Sequence, residues 1–241
     1  MTTPRRAVLV CGVATDPPVW ESTAYALAAI GYDVDVPIRP QSGCLDTEVD
    51  FLAPRCEGAV VFGVSGGATL GVELAIRGVG MAAGFFHEPA AGSLVPGLLD
   101  HVVDAFRREG VHGFGRALYG PGWTTAMTSA DDAVVERELA MFRAFEPQEP
   151  VADATSVTLT VGRLSPAARH ESVNAVAGRC GFGRRVLAGT SHAAHLDNAF
   201  VPVIDDLAHS CTSPRTAYTD RDDHDTTGHR ILRHAGHRPP P

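Results

Sequence analysis

The stretch Val60-Val61-Phe62-Gly63-Val64-Ser65-Gly66-Gly67-Ala68-Thr69-Leu70 is the strongest indication of the fold, because an apolar run of strand type leads into Gly-x-Ser-x-Gly and then into a helical pattern. The glycines at 63 and 67 permit a tight strand-to-helix turn that lifts the serine hydroxyl away from the backbone. The Gly66 amide and the start of the helix favour negative charge beside that hydroxyl. The pattern indicates Ser65 as a nucleophile; the alternative is an ordinary glycine-rich turn.

Strands and helices alternate on both sides of this turn. Apolar or alternating runs predict strands at Ala7–Val10, Tyr32–Val36, Ala59–Phe62, Met81–Phe86, Val157–Val161 and Arg185–Ala188. Helical patterns lie between them, for example at Trp20–Ile30 and Ala167–Ala177. This order predicts an α/β protein with a mostly parallel central sheet and helices on both faces.

The alternation lapses between Pro96 and Pro150, where only helical stretches occur, Leu98–Arg108 and Ala130–Phe145, separated by a glycine-rich segment at 113–122. A helical insertion between two strands is typical of a cap over the ligand-binding edge of the sheet. We therefore predict an α/β core at 1–96 and 151–210 with a helical cap at 97–150. Residues 211–241 are polar and end in three prolines, so they predict a disordered tail.

Composition excludes several classes of function. All 20 basic residues are arginine, which excludes lysine Schiff bases and a Walker A loop. The formal charge of −8 and the scattered arginines argue against nucleic acid as a partner. No apolar run approaches the roughly 20 residues of a membrane helix, so we expect a soluble protein without a membrane partner.

The five cysteines form an odd set without a C-x-x-C pair, which favours reduced thiols and a cytoplasmic location. Arg5-Arg6 followed by Ala7–Ala14 also matches a short secretory signal. Cleavage there would remove the first predicted strand, so we prefer the cytoplasmic interpretation.

Three segments of the chain, in this order, resemble the α/β-hydrolase superfamily over about residues 7–210. Cys11-Gly12-Val13 stands where many members have His-Gly-x, Gly63–Gly67 matches the nucleophile elbow, and Gly189–Asp197 resembles the late histidine loop. The resemblance implies that His192 is the catalytic histidine, with His195 as the competing candidate. A serine hydroxyl needs such a base, since it is a weak nucleophile near neutral pH.

The acid of the triad departs from the family's pattern. Many members have an aspartate in Gly-x-x-Asp after a late strand, yet the corresponding residues here are Gly162-Arg163-Leu164-Ser165. Some members carry the acid after the strand that follows the elbow helix, which implies Glu88. The alternatives are a structural role for Glu88 in the loop or the cap, Asp153 or another acid in its place, and a dyad without an acid. Asp197 lies close to His192 in the chain and is better explained as a helix-start carboxylate.

The resemblance also implies an oxyanion hole made by the backbone amides of Val13 and Gly66. It implies no metal and no organic cofactor. We therefore predict a serine hydrolase that cleaves or transfers an acyl group of a small molecule or a peptide-derived substrate: an ester, lactone, thioester or activated amide. Two alternatives remain: a natural-product tailoring enzyme of the same fold, such as a cyclase or lyase, and a noncatalytic ligand-binding protein.

Overall fold

In the described part of the chain, six strands form one sheet, in which every neighbouring pair is parallel. The computed structural model describes residues 5–212. The strands are β1 (Arg5–Val10), β2 (Tyr32–Asp35), β3 (Val60–Val64), β4 (Ala83–His87), β5 (Val157–Gly162) and β6 (Gly183–Leu187). Their spatial order is β2-β1-β3-β4-β5-β6, so the strand before Ser65 is central. The predicted parallel sheet is confirmed.

Helices cover both faces of the sheet. Within the described range they are α1 (Glu21–Ala29), α2 (Leu45–Cys56), α3 (Gly66–Ile76), α4 (Asp100–Tyr119), α5 (Asp132–Arg143), α6 (Ala167–Cys180) and α7 (Val201–Thr212). The Phe86 ring packs on Gly71 of α3. Its neighbour Phe85 stacks on Phe62, which contacts Phe200 just before α7. Because successive strand residues point to opposite faces, α3 and the start of α7 lie on opposite sides.

The core is centred on β3 and α3. Every residue of β3 is buried, and so is every residue of α3. A central parallel strand that is covered on both faces is expected to be continuously apolar, as Val60–Val64 is. The stretch Val60–Leu70 therefore forms the centre of the molecule.

The helical insertion between β4 and β5 differs from the prediction in one respect. The glycine-rich segment at 113–122 was predicted as a connection, but α4 continues to Tyr119 with a break at Glu109 and Gly110. A Cβ on Gly115 would lie 2.3 Å from the Trp123 ring. The glycine therefore permits close packing within a helix and does not mark a turn, and composition alone does not separate these two uses.

The C-terminal part of the fold also shifts relative to the prediction. The closing helix was predicted from about Leu196 to Ala208, whereas α7 begins at Val201 and ends at Thr212, because turns occupy the residues before it. The remainder of the predicted tail at 211–241 lies outside the described residues. No helix of residues 5–212 is long and apolar enough to cross a membrane.

Candidate active site

Ser65 sits in a strained turn between β3 and α3. Its φ of 57° and ψ of −121° are unusual for a residue with a side chain, and such strain clusters at functional sites. A Cβ on Gly63 would lie 2.5 Å from the Gly67 carbonyl oxygen, and a Cβ on Gly67 would lie 2.1 Å from the Val10 carbonyl oxygen. Both glycines are therefore required by close backbone packing. This is the turn that Gly-x-Ser-x-Gly predicts.

The predicted oxyanion donors lie beside the serine. Val13, Gly66 and Ser65 line the same cavity of about 20 Å³. Within residues 5–212 the backbone N–H groups of Val13 and Gly66 donate to no protein acceptor. Two free amides next to a serine hydroxyl are the arrangement that stabilises an oxyanion.

The loop that carries Val13 is held by aromatic side chains from the insertion between β4 and β5. The Tyr119 hydroxyl donates to the Val13 carbonyl oxygen at 2.8 Å. The Trp123 indole N–H donates to the Ala14 carbonyl oxygen at 2.9 Å. These bonds use the carbonyl side of the loop, so the Val13 amide is left available.

A buried arginine holds the same loop from the other side. Arg39 Nε donates to the Cys11 carbonyl oxygen at 3.0 Å. Its Nη1 lies 2.8 Å from Glu48 Oε2 in α2 and 2.7 Å from Glu138 Oε1 in α5. Burial would lower the pKa of Arg39, but the two carboxylates, Glu138 first, raise it above its ordinary value. The three charges therefore tie the loop to two helices.

Glu88 follows β4 and is buried at the carboxyl edge of the sheet. Its φ is 51°, the second strained non-glycine residue of the site. Oε1 accepts hydrogen bonds from the Gly162 amide and the Ser165 hydroxyl, and Oε2 accepts one from His192 Nδ1 at 2.8 Å. Burial alone would raise the pKa of Glu88, but His192, followed by His87 and Ser165, holds it well below its usual value.

Ser165 explains the departure from the family's pattern. It stands where Gly-x-x-Asp would place an acid, and its hydroxyl donates to Glu88. The carboxylate thus comes from the end of β4, and the residue after β5 supports it. The structure places the two alternative positions for the acid within hydrogen-bond distance of each other.

His192 is buried against Glu88. With Nδ1 donating to that carboxylate, Nε2 is left as the acceptor, and it makes no hydrogen bond to any residue in 5–212. Burial, followed by the positive charge of Arg169, lowers the pKa of His192 to about 4, although Glu88 opposes the shift. The ring is therefore neutral near pH 7 and has a free lone pair for a proton.

The Ser65 side chain does not hydrogen-bond to His192 Nε2 in this structure. The Tyr119 hydroxyl instead lies within hydrogen-bond reach of Ser65, which lowers the pKa of Tyr119 while burial raises it more strongly. The Tyr119 and His192 rings are 5.7 Å apart. The fold therefore brings Glu88 and His192 into contact, and Tyr119 lies beside both Ser65 and His192.

The competing candidates lie elsewhere. His195 packs on Trp20, with ring centroids 5.2 Å apart, and does not contact Glu88. The prediction that Asp197 lies at the start of a helix is wrong, because α7 starts only at Val201. Asp197 instead accepts a hydrogen bond from the Thr190 hydroxyl at 2.6 Å. Asp153 is exposed and accepts from the Thr155 amide. Of the carboxylates considered from the sequence, Glu88 is the one bonded to His192.

Two cavities meet at this cluster. The small one around Ser65 is covered by Phe114 and Leu118 of α4 and Phe142 of α5, and the Phe142 ring packs directly on Gly66. The second has a volume of about 460 Å³ and is lined by His192 and Arg169. Glu88, Leu118 and Arg169 border both. A cavity of the larger volume is typical of sites for small molecules.

Sequence reasoning missed Arg39, Tyr119 and Arg169. Arg39 lies in a segment of turn composition, Tyr119 at the end of the glycine-rich stretch and Arg169 in the first turn of α6. None belongs to a motif, and each reaches the site only through tertiary packing. Arginine is seldom buried, so the residue type alone gives no reason to place Arg39 or Arg169 inside the protein.

Several solved structures are similar to this chain over most of its length. A lipase-esterase related protein from Clostridium acetobutylicum ATCC 824 has a TM-score of 0.66 at 10% identity, covering 86% of this chain and 95% of its own. A thioesterase from the prodiginine pathway of Streptomyces coelicolor has a TM-score of 0.64 at 19% identity, covering 86% and 91%. The enol-lactonase from Burkholderia xenovorans LB400 has a TM-score of 0.61 at 16% identity, covering 87% and 90%.

These similarities show that the chain has the α/β-hydrolase fold, as the elbow predicted. At such identities they show the fold alone. No protein-family model matches the sequence, and no curated protein matches it.

Proposed function

We propose that the protein is a serine hydrolase that cleaves or transfers an acyl group of a small-molecule substrate through Ser65, His192 and Glu88. One observation carries the proposal: Glu88 holds His192 Nδ1 at 2.8 Å while Nε2 is left free, at the edge of the sheet where the strained Ser65 turn lies. A neutral imidazole oriented by a carboxylate is a competent general base.

The proposed chemistry has two steps. Ser65 Oγ attacks the acyl carbon and passes its proton to His192 Nε2, while the N–H groups of Val13 and Gly66 bind the oxyanion. The leaving group takes the proton from Nε2 and departs from the acyl-enzyme. Water, or another acceptor, then attacks the acyl carbon and gives its proton to His192 Nε2. Ser65 Oγ leaves and takes that proton back, which releases the acyl group. Glu88 stabilises the imidazolium in both steps.

The similar structures include a lactonase and a thioesterase, and this supports esters, lactones and thioesters as substrate classes. The thioesterase belongs to a biosynthetic pathway, which favours natural-product tailoring as a second candidate for this chain. The free thiols of Cys11, Cys44, Cys56 and Cys180 support a reducing, cytoplasmic location.

Hydrolysis of p-nitrophenyl butyrate tests the proposal. We expect turnover by the natural chain that falls by at least about 10³-fold in Ser65→Ala, because the nucleophile is removed. Ser129→Ala, a change at an exposed serine of the insertion, is the matched control and should be neutral. Equal turnover by the natural chain and Ser65→Ala would contradict the proposal.

The pH profile of kcat/KM gives an independent prediction. The reaction needs neutral His192, whose pKa is lowered to about 4, so activity is retained down to about pH 5 and lost as the pH falls through the folded pKa. An exposed histidine would give half-maximal activity near pH 6.5 instead. A midpoint near pH 6.5, in a protein that circular dichroism shows to be folded at that pH, would contradict the buried arrangement of His192.

A further inference from the structure

Arg169 is a buried cation at the junction of the two cavities. It lies in the first turn of α6, its side chain is 7% exposed, and it borders both the space around Ser65 and the larger space beside His192. Arginine is almost never buried this far unless it is paired. Its partner therefore has to be identified.

Glu88 accepts no hydrogen bond from Arg169. The shortest approach is 3.8 Å, between Arg169 Nε and Glu88 Oε2. The carboxylate already accepts from Gly162, Ser165 and His192. Among residues 5–212 the guanidinium makes no hydrogen bond, although it carries five N–H donors. None of its nitrogens is sealed away from solvent without a partner, so the free donors open into the cavities that Arg169 lines. An anionic group of a ligand bound there can accept hydrogen bonds from them.

The larger cavity has the composition of a site for an amphipathic acyl group. Half of its 14 lining residues are apolar: Val95, Pro96, Leu98, Ala117, Leu118, Pro166 and Ala168. His101 and Ser191 also line it. Burial, followed by the charge of Arg169, lowers the pKa of His101, so that ring is neutral near pH 7. Arg169 is then the cation of this wall.

We propose that Arg169 binds a carboxylate carried by the acyl part of the substrate, so that the enzyme selects acyl donors with a negatively charged end. The planar guanidinium can bind a carboxylate through two parallel hydrogen bonds. The apolar wall packs on the carbon chain between that carboxylate and the acyl carbon at Ser65. The inference rests on the proposed hydrolase function, since it names the substrate class of the same site.

Two esters of similar size test it: mono-p-nitrophenyl glutarate, which carries a terminal carboxylate, and p-nitrophenyl valerate, which does not. We expect the natural chain to prefer the glutarate ester. In Arg169→Gln the ratio of kcat/KM values, glutarate over valerate, should fall by about 10- to 100-fold, mainly through KM, because charge-assisted hydrogen bonds are lost. Arg169→Lys should retain part of the preference, and Arg163→Gln, at a nearby exposed arginine, should retain all of it.

A general effect of Arg169 on Glu88 and His192 changes both kcat/KM values by the same factor, so it cancels in the ratio. An unchanged ratio in Arg169→Gln, with both esters still hydrolysed, would overturn the inference and leave the hydrolase intact; Arg169 would then serve as a counter-ion of Glu88. If neither ester is hydrolysed and a fluorophosphonate does not label Ser65, the proposed function fails and the inference fails with it. If neither ester is hydrolysed but Ser65 is labelled, free glutarate should slow the labelling of the natural chain and not that of Arg169→Gln. Equal slowing in both proteins, or no slowing in either, would overturn the inference.

Discussion

Glu88→Gln should lower kcat for ester hydrolysis by about 10⁴-fold, the loss that follows when the acid of such a triad becomes an amide. Glu88 Oε2 accepts the proton of His192 Nδ1, so the carboxylate fixes the ring's tautomer and stabilises the imidazolium. An amide can present an N–H to Nδ1 instead and reverse the tautomer. Glu171→Gln, at an exposed glutamate of α6, is the matched control.

Ser165 provides a rescue for the same prediction. Its hydroxyl reaches Glu88, so an aspartate at 165 would place a carboxylate near the same position from the other strand. We expect Glu88→Gly combined with Ser165→Asp to recover at least about tenfold of the kcat lost in Glu88→Gly. Glycine also accepts the positive φ at position 88. Near-normal turnover by Glu88→Gln alone would reject Glu88 as the acid.

Arg39→Met should lower the free energy of unfolding by about 3–5 kcal/mol, because it leaves Glu48 and Glu138 as buried carboxylates without a cation. The carbonyl oxygen of Cys11 also loses its donor, which loosens the loop that carries Val13. Urea unfolding at pH 7 measures the effect. Arg137→Met is the control, since that arginine is exposed and donates to one carbonyl, that of Gln41.

A triple variant separates charge from packing. Arg39→Met with Glu48→Gln and Glu138→Gln removes the uncompensated carboxylates, so we expect it to regain part of the lost stability. A loss below about 1 kcal/mol in Arg39→Met, the value typical of an exposed ion pair, would contradict the role assigned to this cluster.

Local sequence signals were sufficient for the parallel sheet and the Ser65 turn. Close backbone packing and full burial each require particular residue types. The structure of the elbow glycines and of the buried runs Val60–Val64 and Ala7–Val10 can therefore be predicted from a few residues. Gly115 shows where this fails: the same residue type permits either a turn or a close helix contact, and only the position of Trp123 decides between them.

The residues of the site that lie in sequence motifs could be predicted. Ser65, His192 and Glu88 follow from the elbow and from positions in a known pattern, and their catalytic roles remain predictions. Arg39, Tyr119 and Arg169 act through contacts between segments far apart in the chain, such as the bond from Tyr119 to Val13. No local pattern encodes such a pairing, so these residues required the fold.

The proposed mechanism requires that Ser65 is an activated nucleophile served by His192. Treating the purified protein with a fluorophosphonate and weighing the intact adduct tests it directly, with Ser65→Ala and His192→Ala treated alongside. We expect one adduct per chain, which is absent in Ser65→Ala and forms much more slowly in His192→Ala. The absence of an adduct on the folded natural chain, or an adduct that persists in Ser65→Ala, would contradict it.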